Sequence, residues 1–208
     1  MNIRINQKYL TNLKYISSEK KVTQILKQNG FLLEFLNEKF QKEKRIVKIA
    51  VSNNGLSLKF ADKNIRNEKD IVLKAVKNYG FALKYASNIL KNDTKIVNEA
   101  IKTSGNTIFY ASERLKKNKE ITSKAIKKNG FALKFVDQKL KNNKLFIKKI
   151  LKFSFGGTSL PYVSNKLLRD REIIKLACKT YGFSIRHLKK TKNKFYNDYD
   201  VNKVAVSQ

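Results

Sequence analysis

The sequence has one cysteine, one histidine, one proline and no tryptophan in 208 residues. A single cysteine excludes a disulfide framework and any cysteine-based zinc site. A single histidine removes most metal and acid–base constellations, because imidazole is the side chain that changes charge near neutral pH. No apolar run approaches the ~20 residues that span a bilayer, so no integral membrane segment is expected. The opening Met1-Asn2-Ile3-Arg4-Ile5-Asn6 lacks the apolar stretch of a secretory signal. Acids are also scarce: 16 Asp plus Glu stand against 46 Lys plus Arg, a formal charge of +30. Only seven of those bases are Arg (Arg4, Arg45, Arg66, Arg114, Arg169, Arg171, Arg186). Abundant Lys and Asn with little Arg and Pro is the mark of an A/T-rich genome, so drift and function both feed the charge. At 41% hydrophobic the chain is too apolar for a basic disordered tail, and it is long enough to bury a core.

What is present is a repeat. The eight glycines are Gly30, Gly55, Gly80, Gly105, Gly130, Gly156, Gly157 and Gly182, with a spacing of 25 broken only by the step of 27 from Gly130 to Gly157. Counting from each Gly as zero, position three is Leu33, Leu58, Leu83, Ile108, Leu133, Leu160 and Ile185. Position five is a ring column ending in His187, position six is small or aliphatic, and position ten runs from Phe40 to Leu167. Apolar or small residues at two, three, six and ten fit a 3.6-residue period, which predicts a helix A of about eleven residues. Position thirteen (Glu43, Glu68, Asp93, Asn118, Asn143, Asp170) is an N-cap column in which Glu is the poorer cap. Helix B follows, apolar at sixteen, seventeen, twenty and twenty-one. Ala recurs at position twenty, where a small side chain lets helices approach closely. The Gly after helix B is expected to take the left-handed C′ conformation.

Helices this short must bury their stripes against neighbouring pairs. The expected fold is all-α: an α-solenoid of about seven 25-residue helix-turn-helix repeats, a single domain over 1–208. Residues 1–29 form a cap in which Leu13-Lys14-Tyr15-Ile16 repeats Leu83-Lys84-Tyr85-Ala86; residues 30–181 form six helical pairs, and 182–208 a variant last repeat. Lys152-Phe153-Ser154-Phe155-Gly156 inserts two residues, and Pro161 requires its helix A to begin near that residue. In the last repeat Asp198, Val201, Ala205 and Val206 copy the spacing of Asp93, Ile96, Ala100 and Ile101, with three residues gained inside Lys189–Lys194.

The strings Asn129-Gly130-Phe131-Ala132-Leu133-Lys134-Phe135, Gly80-Phe81-Ala82-Leu83-Lys84-Tyr85-Ala86-Ser87 and Asp93…Ile96-Val97…Ala100-Ile101 resemble the repeats of the family called domain of unknown function 4116. Such repeats occur in large DNA viruses and in bacteria. The resemblance covers about residues 30–188 and implies a helical repeat fold, with no catalytic residues to carry over.

Candidate chemistry is thin. His187 replaces a ring at position five with no partner His, Cys or acid in register, and reads as a packed ring. Cys178 falls in a column of Val51, Val76, Ile101, Ile126 and Leu151 and reads as a small core hydrophobe. The position-five rings read as core rather than a base-stacking platform. Gly156-Gly157 lacks a P-loop ending, and no acids pair for catalysis. No enzyme activity, metal or cofactor is expected.

The bases are ordered by the repeat. The face of helix A opposite its core carries position four (Lys59, Lys84, Lys134, Arg186), position eight (Lys63) and position eleven (Arg66, Lys91, Lys116, Lys141). Helix B carries Lys77, Lys102, Lys127, Lys152 and Lys179 at position twenty-two. The expected function is a non-enzymatic module whose Lys ladders engage a polyanion, nucleic acid or a ribonucleoprotein, largely without reading sequence. The alternative is an interaction scaffold, or a viral or bacterial effector or inhibitor, that binds an acidic surface of a partner protein. The chain is expected to be monomeric and cytoplasmic, in a host cytoplasm if it is viral or a delivered effector.

Overall fold

The computed structural model describes residues 7–153 and 156–207. The opening stretch 1–6 and the inserted Ser154 and Phe155 lie outside the described residues. The chain forms two compact units, Met1–Thr103 and Ser104–Gln208. Both are all-α, with no strand among the described residues.

In the first unit the B helices are Glu19–Gln28, Lys44–Asn53, Lys69–Asn78 and Thr94–Thr103. In the second they are Lys119–Lys128, Lys144–Leu151 and Arg171–Thr180, followed by Ser184–Lys190 and Tyr199–Val206. The residues at sixteen, seventeen, twenty and twenty-one bury as the period predicts; Ile71, Val72, Ala75 and Val76 are fully enclosed.

Helix A is not the continuous eleven-residue helix that the spacing predicts. From Gly30 to Tyr162 it is a 3-10 helix of six or seven residues, as in Gly30–Phe35, Gly55–Phe60 and Gly130–Phe135; only in the last repeat is it α-helical, over Ser184–Lys190. An extended residue at position six follows (Ala61 at φ −70, ψ 149), then a separate short turn of helix such as Asn88–Lys91. Apolar residues at two, three, six and ten satisfy this broken path as well as they satisfy one α-helix, because only burial and not continuity is encoded by the period. A 3-10 helix has three residues per turn, so i and i+3 eclipse. Positions zero and three therefore share one edge and are buried, positions two and five share another, and positions one and four share the outward edge. Backbone bonds then join successive repeats: the position-seven amide donates to the position-eleven carbonyl of the repeat before (Asp62 to Gln41, 2.9 Å; Ser87 to Arg66, 3.0 Å; Asp137 to Lys116, 3.3 Å).

The glycines serve a different purpose from the one expected. None of the described glycines has positive φ; at Gly30, Gly55, Gly80, Gly105 and Gly130 the preceding residue is extended and the Gly opens the 3-10 helix. What it supplies is room. A Cβ on Gly157 would lie 2.6 Å from the Ala177 carbonyl oxygen and 2.5 Å from Tyr181 Cβ, and one on Gly30 or Gly105 would overlap the carbonyl of Ala50 or Ala125. Gly at zero and Ala at twenty are thus two sides of one close approach. In the first unit Asn53 and Asn78 complete the junction. Each side-chain oxygen accepts from the Gly amide (Gly30 and Gly55, 2.7 Å), while each Nδ2 donates to the carbonyl end of the preceding B helix (Lys27, 2.8 Å; Ser52, 3.1 Å).

The cap column behaves as its chemistry dictates. Asn118 accepts from the amides of Glu120 and Ile121 and Asp170 from those of Glu172 and Ile173, whereas Glu43 and Glu68 make no cap bond. Two local expectations are corrected. The 3-10 helix containing Pro161 begins at Gly156, and Pro161 sits near its end; a six- or seven-residue 3-10 helix loses one weak bond there and keeps a compatible φ. In the last repeat Asp198 caps its helix and Val201 is buried, but Val206 is exposed and does not copy Ile101. The three extra residues there are absorbed at Lys192, whose φ of 50 makes it the one described non-Gly residue in the left-handed region.

Candidate polyanion-binding surface

The position-four cations Lys59, Lys84, Lys134 and Arg186 stand on the outward edge of their helices, all exposed. None has an acidic partner within ion-pair distance among the described residues. Their ammonium groups lie beside the next ring instead: Lys59 over Phe60 at 5.2 Å, Lys84 over Tyr85 at 5.6 Å and Lys134 over Phe135 at 5.9 Å from the centroid. Arg186 lies 4.5 Å from the Phe183 ring centroid. The position-five rings are half-buried rather than enclosed. Lys63, at position eight, is exposed and likewise free of an acid.

Position eleven does not belong to this edge. Arg66, Lys91, Lys116 and Lys141 are half-buried, because the break after the 3-10 helix turns position eleven back over its carbonyl end. Lys141 Nζ donates to the Lys134 carbonyl at 2.7 Å, and Gln41, at the same position of the first repeat, donates to the Leu33 and Leu36 carbonyls. Burial lowers the pKa of Lys91 and of Lys141. Lys116 retains only 15% side-chain exposure and pairs with Glu113 at 2.9 Å. Lys141 thus holds the end of its 3-10 helix, where positive charge complements the carbonyl dipoles.

The B-helix surface is charged and carries a ladder of ion pairs. In the first unit Lys44 pairs with Glu68 (2.8 Å), Lys48 with Asp70 (2.9 Å) and Lys69 with Asp93 (2.5 Å), each bond reaching from one repeat to the next. In the second unit Lys144 pairs with Asp170 (2.6 Å), Lys148 with Glu172, and Arg171 with both Asp198 and Asp200 (2.7 Å each). Each pair is worth about 0–1 kcal/mol at this exposure, yet together they set the local sign of the surface. Lys77, Lys102, Lys127, Lys152 and Lys179 are exposed on it, with Lys102 held by Glu99 at 2.7 Å. The ladder lapses where Asn118 and Asn143 replace acids. A groove of about 570 Å³ lies there, edged by Lys119, Lys124, Lys127 and Lys149 with Leu145 80% exposed.

Cys178 is fully buried, and burial pushes its thiol up to about 11, the setting of a core hydrophobe. His187 is half-buried and its pKa is lowered, first by burial and then by Lys190. No group of three or more His, Cys, Asp or Glu residues is placed to hold a metal among the described residues. No helix among them is long and apolar enough to cross a membrane.

The same 25-residue grammar decides the relationship of the chain. The model of the domain of unknown function DUF4116 matches residues 18–66, 68–116, 95–141, 118–156 and 143–191. The chain belongs to the DUF4116 family. Three of the DUF4116 matches open at Glu68, Asn118 and Asn143, the residues that precede B helices. The DUF4116 module as matched therefore begins with helix B and spans about two of the repeats described above. No match to this chain was found among curated proteins or solved structures.

Sequence reasoning found the position-four cations and missed two features. One is the Asn53 and Asn78 staple, visible in hindsight as Asn immediately before the C-cap in two successive repeats. The other is the ring column at position one (Phe31, Phe81, Phe131, Phe183), which an α-helical period hides and a 3-10 period places in line with position four.

Proposed function

We propose that this chain is a non-enzymatic binding module in which the outward edge of the A helices engages a polyanion, either nucleic acid or a ribonucleoprotein. The observation that carries this reading is the contrast between two sets of cations. Lys59 and Lys84 in the first unit, and Lys134 and Arg186 in the second, have no acid within ion-pair distance among the described residues, while Lys44, Lys48, Lys69, Lys144, Lys148 and Arg171 on the B helices are tied into an inter-repeat ladder. The exposed B-helix cations Lys77, Lys127, Lys152 and Lys179 lie outside that ladder and add to the unmatched charge. Charge that is unmatched within the fold costs self-repulsion, and an anionic partner relieves it. Lysine provides a point charge and little bidentate recognition, so binding follows phosphates rather than base sequence. The module acts as a monomer in a cytoplasm, where such polyanions are accessible.

The test is a nucleic-acid binding titration across salt. If six to ten phosphates are engaged, affinity falls about 10³–10⁵-fold between roughly 50 and 200 mM salt. Each of Lys59→Gln, Lys84→Gln and Lys134→Gln lowers the salt slope by about 1; the ladder variants Lys44→Gln and Lys144→Gln leave it nearly unchanged. Absence of binding at the lowest salt, or equal effects of the two variant sets, overturns the reading. Recovery of a protein partner that survives nuclease treatment points instead to an acidic protein surface.

A further inference from the structure

Among the described residues, large apolar side chains left in water are informative, because rings are ordinarily buried where the fold can cover them. In the second unit three of them lie on the outward edge of the repeats that open at Gly105, Gly130 and Gly182: Phe109 at 50%, Phe131 at 49% and Phe183 at 56% exposure. They are held by neighbouring rings. Phe109 packs against Phe135 with centroids 5.0 Å apart, Phe131 meets Tyr162 edge-on at 5.9 Å, and Phe183 leans on Tyr181 at 5.6 Å. The rings are thus fixed in orientation while keeping a surface open. Two of them have a cation three residues on: Lys134 follows Phe131, and the Arg186 guanidinium covers part of Phe183.

A cleft of about 140 Å³ opens between Phe131 and Phe183, with Pro161, Tyr181 and His187 in its walls. In this last repeat His187 is the one imidazole of the position-five column, and its Nε2 is buried with no hydrogen-bond partner. A buried polar nitrogen without a partner carries a cost that an incoming polar edge removes. The cleft is lined by the Phe131, Tyr181 and Phe183 rings, with the unpartnered His187 side chain in its wall, a setting suited to a single planar base.

We propose that the outward edge of the second unit takes single-stranded nucleic acid, with bases stacked on Phe109, Phe131 and Phe183 and one base seated in the Phe131–Phe183 cleft against His187. This rests on the polyanion reading above and narrows it, because phosphates of a duplex satisfy Lys134 and Arg186 equally well, whereas paired bases cannot leave their stack to meet the rings. Aromatic stacking is tolerant of sequence, since every base has a π-face, and an arginine plane extends the stacking surface.

The experiment compares binding of a fluorescent single strand of roughly 16 nucleotides and of its duplex, for the full chain and for Phe131→Leu, Phe183→Leu and the double variant. Leucine keeps apolar bulk without a π-face, and far-UV circular dichroism checks the fold. The native chain prefers the single strand, each ring variant weakens single-strand binding about tenfold, and duplex binding and the salt slope stay as they were. A 2-aminopurine in the strand loses emission on binding the native chain and regains it with the double variant. His187→Phe, which restores the column ring and removes Nε2, weakens single-strand binding without changing duplex binding. Equal affinity for single strand and duplex, unmoved by the ring variants, overturns the stacking inference and leaves the polyanion reading intact. No binding to either form overturns both.

Discussion

Gly105→Ala tests the physical basis of the repeat most directly. A Cβ at residue 105 would overlap the Ala125 carbonyl oxygen and lie 3.1 Å from both Ala125 C and Asn129 N. All three are backbone atoms, and the carbonyl already accepts from Asn129 N at 2.9 Å as the last bond of helix Lys119–Lys128. The neighbour can therefore yield only by giving up that bond. Overpacking of this kind costs about 1–3 kcal/mol and the lost bond about 1 kcal/mol. The smaller unfolded-state entropy of Ala returns about 0.4–1 kcal/mol. The net is a loss of about 1–3.6 kcal/mol, which for a chain of this size lowers Tm by roughly 2–14 °C. Thermal and urea denaturation followed by circular dichroism read the change. Gly105→Asn must be at least as damaging, because the glycine is needed for space and not for a left-handed φ. If Gly105→Ala matches or exceeds the stability of the native chain, or if Asn is well tolerated, the close-approach argument is wrong.

Three further outcomes are expected. Asn118→Ala loses two cap bonds of 3.0 Å and destabilises by about 1 kcal/mol in urea titration, while Glu43→Ala, with no cap bond to lose, stays within about 0.5 kcal/mol; equal losses would contradict the cap assignment. Cys178 does not react with a thiol reagent in the native chain and reacts fully in denaturant, because its thiol is buried and held at about 11; rapid native labelling refutes this. The Lys144 ammonium bonded to Asp170 holds that carboxyl below its ordinary 3.8, against a smaller opposing effect of burial and aided by the Ile173 and Glu172 amides. A depressed folded pKa adds stability that is present above about pH 4 and lost as pH falls through the folded value. Asp170→Asn therefore flattens the acid limb of the urea midpoint against pH, and an unchanged limb counts against the pairing.

Much of this fold was legible before any coordinates. Glycine spacing fixed the repeat length, and the Ala column at twenty marked a close contact. The Asp, Asn and Glu column located the start of the six B helices from Lys44 to Arg171 and separated good caps from poor ones. The candidate surface was only half legible. Position four stands outward whether helix A is α or 3-10, so Lys59, Lys84, Lys134 and Arg186 were placed correctly by either period. Position eleven was misplaced because the extended residue at six breaks the helix and turns Arg66, Lys91, Lys116 and Lys141 inward. Cys178 was recognisable as core from the aliphatic column it joins.

The sequence by itself determined that the chain is a helical repeat, where most of its B helices begin, and which columns of the repeat carry its cations. Only the tertiary structure decided which cations are free. Ion pairing depends on which side chain of one repeat reaches which acid of the next, and a linear spacing does not contain that distance. The same holds for the glycines. Their period is visible in the sequence, but only packing against an alanine carbonyl explains why nothing larger than hydrogen fits.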